Sequence, residues 1–383
     1  MNYNQFFNEL KKSPVFAISL SSKELFHSNF WAWLIEYNKE FAKVFFNDID
    51  YQNITTIYRE EKHRDLTIIA GGEVFIIENK IKSLPSSEQL IRYQSRERHF
   101  RKGCITGLVK FDNVPTDWNF ISYGQIGNSI RNINNMFRSD KWYFLIDEYV
   151  NVIKHIESLF IEFNEQYKNR FICFEEYKKD PMLSELESIR FADVFKKYNA
   201  NSFASYLTNK IKVELENLVN NEQIKLDISS GYTNKSSLVD IRYIKNKDTQ
   251  NQFCIGIQIQ DSQYRFHVER HKGTLDFGVK NPSGCLFNEF LAYGWFESYD
   301  RSKKLFKNRQ TSMRESYCTY SSESYKFVYQ YYNLIGDELN FERLASQIKE
   351  DMTKAANIME KIDKWGIYGR WCNNIDMSKL WVK

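Results

Sequence analysis

The stretch Asp65-Leu66-Thr67-Ile68-Ile69-Ala70-Gly71-Gly72-Glu73-Val74-Phe75-Ile76-Ile77-Glu78-Asn79-Lys80 decides the reading of this chain. Two runs rich in β-branched and apolar residues flank Gly71-Gly72. Paired glycines between such runs predict a hairpin, because both central residues of a tight turn take positive φ. That turn sets Asp65 directly across from Glu78, and period-two alternation puts Lys80 on the face of Glu78. The two carboxylates then face each other with Cβ atoms about 4.5–5.5 Å apart. Like charges so placed destabilise a hairpin, unless a cation sits between them or one carboxyl stays protonated. Oxygen ligands of this kind suit Mg²⁺ or Mn²⁺, which also bind phosphate oxygens. Lys80 adds an ammonium that can hold or deprotonate a water, or stabilise charge developing on a phosphate. A solvated, salt-bridged surface hairpin would use the same three residues. Val74-Phe75-Ile76-Ile77, however, has the apolar density of a central strand, where charges need a reason.

Around this hairpin the pattern predicts a short list of elements. A helix is expected over residues 21–37, with Ser21 and Glu24 at capping-box spacing and Leu25, Phe30, Trp33 and Leu34 as its apolar face. Strands are expected at 53–58, 65–70, 73–80, 103–110 and 119–122. A helix is expected over 86–102, and helical segments follow to about Phe163. A helix between strands points to a mixed sheet covered by helices. Farther on, residues 180–222 read as helical, 224–280 as strand-rich and 286–365 as helical, with a boundary near 165. The aromatic groups Tyr317–Tyr320 and Tyr325–Tyr332 read as helix core.

Asp65, twelve intervening residues and then Glu78-Asn79-Lys80 resemble the core motif of the PD-(D/E)XK nuclease superfamily. Downstream, Gln89-Leu90-Ile91-Arg92-Tyr93 is similar to the Q-x-x-x-Y motif of its recombination- and phage-exonuclease-like branches. Gln89 and Tyr93 share one helical face. The start Glu24-Leu25-Phe26-His27-Ser28-Asn29-Phe30 and the run Ile77–Ile81 are most similar to a bacterial branch of that superfamily. The resemblance covers about residues 15–160. It implies an α/β (α+β) fold with a restriction-endonuclease-like αβββαβ core on a mixed sheet in residues 1–165. Residues 166–383 would then form an accessory region of strands and helices.

The resemblance also implies roles. Asp65, Glu78 and the backbone carbonyl of Asn79 would ligate Mg²⁺ or Mn²⁺. Lys80 would position or activate the attacking water. Gln89 and Tyr93 would steady the site or contact the DNA backbone. Glu24 would complete the acidic cluster, although it is also the capping partner of Ser21. Two positions depart from the usual pattern. Arg64 stands where the motif usually has proline, and Asn79 stands where its middle residue is usually apolar. On its side of the sheet Asn79 needs hydrogen-bond partners if buried. The implied activity is Mg²⁺-dependent hydrolysis of DNA, in bacterial defence or repair. The rival readings are a silent or gated binding protein on the same fold, and an RNase with the same site.

Composition narrows the field. The chain has 383 residues, 42% apolar and 27% charged, values of a globular protein. Its net charge of +4 permits a nucleic-acid partner without demanding one. Residues 59–110 carry eleven Lys and Arg against seven Asp and Glu. Arg59, Arg64, Lys82, Arg92 and Arg96 are the candidate DNA-facing cations, with Arg98, Arg101 and Lys102 expected on the same helix. A solvated helix face is the plainer reading of that stripe. No apolar run is long enough to span a membrane, and the N-terminus lacks a signal-peptide pattern. A cytoplasmic location and reduced, buried cysteines follow as expectations. His267 and His271 fall on a predicted strand about 13 Å apart, which argues against a zinc pair. No phosphate-binding G-x-x-x-x-G-K loop is present, which argues against an ATP-driven motor. A homodimer, and a protein partner reached through the C-terminal region, complete the expectations.

Overall fold

The computed structural model describes residues 3–19, 23–81, 87–109, 114–173, 179–233, 236–245, 252–271, 294–295, 318–322, 325–334 and 339–365. The chain folds as two compact units, residues 1–168 with 180–195, and residues 169–179 with 196–383.

In the first unit, three helices, α1 (Tyr3–Lys12), α2 (Pro14–Ser19) and α3 (Lys23–Tyr37), precede the sheet. The sheet holds β1 (Ile54–Arg59), β2 (Leu66–Ala70), β3 (Glu73–Lys80), β4 (Phe100–Gly107) and β5 (Trp118–Ser122), in the order β1-β2-β3-β4-β5. β1, β2 and β3 are antiparallel, whereas β3, β4 and β5 run parallel, so the sheet is mixed. The parallel step is bridged by α4 (Ser87–Ser95). α5 (Tyr123–Asn134) and α6 (Tyr143–Gln166) follow β5, and α7 (Pro181–Ser188) also belongs to this unit. This is the mixed, helix-covered core of the restriction-endonuclease-like class expected above, followed by C-terminal strands and helices.

The hairpin forms in the expected register. Leu66 pairs with Ile77 and Ala70 with Glu73, and Gly71 and Gly72 take φ of 57° and 82°. β3 is the middle strand and is buried along Val74–Asn79. Val74 and Ile76 pack with Leu90, Tyr93, Ile105 and Trp118 on the face covered by α4. Phe75 points the other way, against Phe46. Glu78 and Lys80 therefore emerge on the α4 face at the carboxyl end of the central strand.

Three expectations need correction. Residues 86–102 are not one helix: α4 stops at Ser95, and β4 begins at Phe100. The parallel ladder captures the chain there, with Val74 N–H donating to the His99 carbonyl and the Phe100 ring stacked on Trp118. Arg98 thus lies in a turn, and Arg101 and Lys102 lie on a strand. In α3 the buried face is His27, Ser28, Trp31, Ala32, Leu34 and Ile35, while Leu25 is exposed. Ser21 lies outside the described residues. In the second unit the tyrosine-rich segments are strands, β10 (Cys318–Ser322) and β11 (Tyr325–Asn333), not helices. β11 pairs along its whole length with β9, from Tyr325 opposite His271 to Asn333 opposite Gln263. Period-two aromatics such as Phe327, Tyr329 and Tyr331 suit a pleated surface better than a helix. Tyr317 lies outside the described residues.

The second unit is built on α8 (Ala192–Glu216), whose first turn belongs to the first unit, and on β6 (Ile224–Thr233), β7 (Ser236–Lys245), β8 (Phe253–Gln260) and β9 (Gln263–His271). With β10 and β11 they form an antiparallel sheet, β10-β11-β9-β8-β7-β6. α9 (Phe341–Trp365) packs across β7 and β8. Ile241, Ile255, Ile257, Val268, Phe203, Leu207, Leu344 and Ile348 make the core between sheet and helices. Cys104, Cys173 and Cys254 are buried. Among the described residues no helix is long and apolar enough to cross a membrane.

Candidate active site

Asp65 ends the turn into β2, and Glu78 and Lys80 close β3. The backbone N–H of Asn79 donates to Asp65 Oδ2 at 2.6 Å, which fixes the aspartate against the end of the central strand. Lys80 Nζ lies 2.7 Å from Glu78 Oε1. Gln89 Nε2 donates to that same Glu78 oxygen at 2.9 Å, and Gln89 and Tyr93 meet at 2.7 Å. The Tyr93 hydroxyl donates in turn to the His63 carbonyl. The structure thus brings together Asp65, Glu78, Asn79, Lys80, Gln89 and Tyr93. In this arrangement Gln89 and Tyr93 bond to the protein's own groups.

Glu78 is 2% exposed, and its Oε2 is buried without a hydrogen-bond partner. A carboxylate oxygen left this way in a buried site carries a large desolvation cost. Burial, and then the Glu78 charge, push the Asp65 carboxyl up to about 7. Burial likewise raises Glu78, against the opposing pull of Lys80. Burial works against the Lys80 ammonium, but Glu78, with Asp65 and Glu24, outweighs it and holds the lysine above its ordinary value. A half-buried and a buried carboxylate, the latter with an orphaned oxygen, are an electrostatic arrangement that a divalent cation relieves. The donor set therefore fits Mg²⁺ or Mn²⁺, which Asp65 and Glu78 would hold. Glu24 lies near enough for its charge to act on all three groups. Among the described residues, though, no three His, Cys, Asp or Glu side chains gather closely enough to hold a metal ion.

The two departures from the motif both find partners. Asn79 is 1% exposed, and its amide is engaged at both its nitrogen and its oxygen. Its Nδ2 donates to the Glu24 carbonyl at 2.9 Å, and its Oδ1 accepts from Tyr123 Oη at 2.6 Å and Thr106 Oγ1 at 3.2 Å. An apolar residue here would remove the acceptor that these two hydroxyls share. Arg64, expected among the DNA-facing cations, is instead 3% exposed. Its Nη1 donates to Glu97 Oε2 at 2.8 Å and its Nη2 to the Tyr93 carbonyl at 3.3 Å. Arg59, Arg92 and Arg96 are exposed as expected, and Lys82 lies outside the described residues.

The turn before Asp65 is strained. Glu60, Lys62 and His63 take φ of 56°, 54° and 63°, in the left-handed region. Each such residue costs on the order of 1–3 kcal/mol and persists only where its surroundings enforce it. Sequence reasoning missed this turn and the roles of Glu97, Tyr123 and Thr106. Glu97 read as one acid within a basic stripe, and the two hydroxyl residues carried no motif.

Residues 15–151 match the family model described as PD-(D/E)XK nuclease superfamily. Comparisons with curated proteins and with solved structures find no match.

Proposed function

We propose, from a chain whose residues 15–151 carry a segment of a nuclease superfamily, that the protein is a Mg²⁺- or Mn²⁺-dependent deoxyribonuclease. The observation that carries this reading is the facing pair Asp65 and Glu78, with Lys80 on Glu78 and the second Glu78 oxygen unpaired. Asp65, Glu78 and the Asn79 carbonyl would hold the cation. When bound, it supplies positive charge that draws in the phosphate and eases deprotonation of a water. Lys80 would orient the attacking water and stabilise charge developing on the phosphate. Gln89 keeps Glu78 in place through its hydrogen bond. The water oxygen bonds to phosphorus in line as the bond to the 3′-oxygen breaks, leaving a 5′-phosphate and a 3′-hydroxyl. Exposed Arg59, Arg92 and Arg96 would contact backbone phosphates, which recruits DNA without regard to sequence. Residues 166–383 would form the accessory region that sets substrate or partner. A cytoplasmic role in bacterial defence or repair fits this chemistry.

Two measurements test it. Calorimetric titration of Mn²⁺ should show binding by the wild type, weakened roughly 10-fold or more in Glu78→Gln. Matched DNA and RNA substrates should then be offered with Mg²⁺. Cleavage of RNA alone would overturn the choice of substrate, and no Mn²⁺ binding by the wild type would overturn the cation site.

A further inference from the structure

We propose that Arg64 is a positioning residue, which fixes Asp65 by clamping the strained turn Glu60–His63 to the end of α4. This inference rests on the reading of Asp65 as a cation ligand given above. The turn closes on itself through Glu60 N–H to the Asp65 carbonyl at 3.3 Å and Arg64 N–H to the Glu61 carbonyl at 3.0 Å. Those two bonds do not by themselves tie the turn to the rest of the molecule. Four further contacts do, and all run to one segment. The Tyr93 hydroxyl holds the His63 carbonyl, the Arg64 guanidinium spans Glu97 and the Tyr93 carbonyl, and Lys62 Nζ lies 3.6 Å from the same Glu97 oxygen.

The backbone shows why proline is not used here. Arg64 sits at φ −107° and ψ 137°, and its N–H is engaged with Glu61. A proline ring fixes φ near −65° and removes that N–H. The stiffness that a proline would have supplied through φ comes instead from a buried, two-point guanidinium contact. Lysine cannot copy it, because an ammonium is a point charge without the planar fork. Burial also keeps Arg64 away from phosphate, so its influence on catalysis runs through Asp65.

The test uses the full-length chain and the variants Arg64→Lys, Arg64→Leu and Glu97→Gln. Glu97→Gln keeps the side-chain shape and guards against a loss of folding. Hydrogen exchange across residues 59–66 should speed up in Arg64→Leu and Glu97→Gln, with Arg64→Lys in between. Mn²⁺ affinity and kcat should each fall roughly 10- to 100-fold, the range for residues that orient a ligand from behind. KM for DNA should hold. Unchanged exchange in all three variants would overturn the clamp. So would faster exchange with unchanged Mn²⁺ affinity and kcat, or a raised KM with unchanged kcat, which would put Arg64 on the substrate. If the wild type binds no Mn²⁺, the cation reading fails, and exchange alone then decides whether the clamp exists.

Discussion

At the scale of single residues, the site depends on a few groups whose surroundings leave no slack. Asn79 is the sharpest case. Its amide serves Glu24, Thr106 and Tyr123 at once, behind the strand that carries Glu78 and Lys80. Replacing it with leucine restores the apolar pattern usual for the motif, yet removes the acceptor that the Tyr123 and Thr106 hydroxyls share. Asn79→Leu should therefore lose about 1–3 kcal/mol of stability, read from denaturant unfolding. Unchanged stability would mean that those hydroxyls find other partners. Gly103 makes a second case, since a Cβ there would stand 2.2 Å from the Trp118 ring. Gly103→Ala should cost roughly 1–3 kcal/mol in the same assay, because the indole is pinned between Phe100 and the sheet. A neutral outcome would show that Trp118 can swing aside.

At the scale of elements, the hairpin was fully legible and its neighbourhood only in part. The Gly71-Gly72 turn sets the register, so the opposition of Asp65 and Glu78 could be read without coordinates. The end of α4 could not. Arg96 to Lys102 has no strong breaker before Gly103, and only the pairing of Phe100 beside Val74 shows where the helix gives way. The tyrosine-rich segments misled for a related reason. Short aromatic runs pack equally well on a helix or a strand, and the partner that decides, β9, lies more than fifty residues upstream. Arg64 looked like surface charge because its acceptor, Glu97, is distant in sequence and close in space. The first unit also takes in residues 180–195, beyond the boundary expected near 165. Met182, Leu183, Leu186, Phe191 and Phe195 are all buried there, with Phe195 against Phe163 and Phe191 against Phe16. Full burial of such side chains is worth about 1.5–3 kcal/mol each. A fragment of residues 1–165 should thus melt well below one of residues 1–196. Equal melting temperatures would show that α7 is dispensable to the core.

At the scale of the whole molecule, charge sets two behaviours. Binding to nucleic acid should be salt-dependent, and Arg92→Ala with Arg96→Ala should lower the slope of log K against log salt by about 2. An unchanged slope would place the phosphate contacts elsewhere. The second behaviour concerns stability and pH. Asp351 is buried, accepts from Tyr264 Oη at 2.7 Å and Gln347 Nε2 at 3.1 Å, and has its carboxyl pushed up to about 6 by burial. Glu350 pushes in the same direction, while Lys354 and the two hydrogen bonds oppose it. A raised carboxyl means that the folded state favours the neutral form. Its contribution to stability is therefore complete below about pH 4 and is lost as pH rises through about 6. Asp351→Asn should melt close to the wild type at pH 4 and above it at pH 7. A variant that gains nothing at pH 7 would show that the ionised carboxylate is tolerated.

The central claim is that Asp65, Glu78 and Lys80 form a working nuclease site. The most direct measurement is cleavage of supercoiled and linear DNA with Mg²⁺ or Mn²⁺, comparing the wild type with Asp65→Ala and Lys80→Ala under conditions where all three are folded. Cleavage by the wild type that is lost in both variants is the predicted result. Cleavage that survives both substitutions would contradict it.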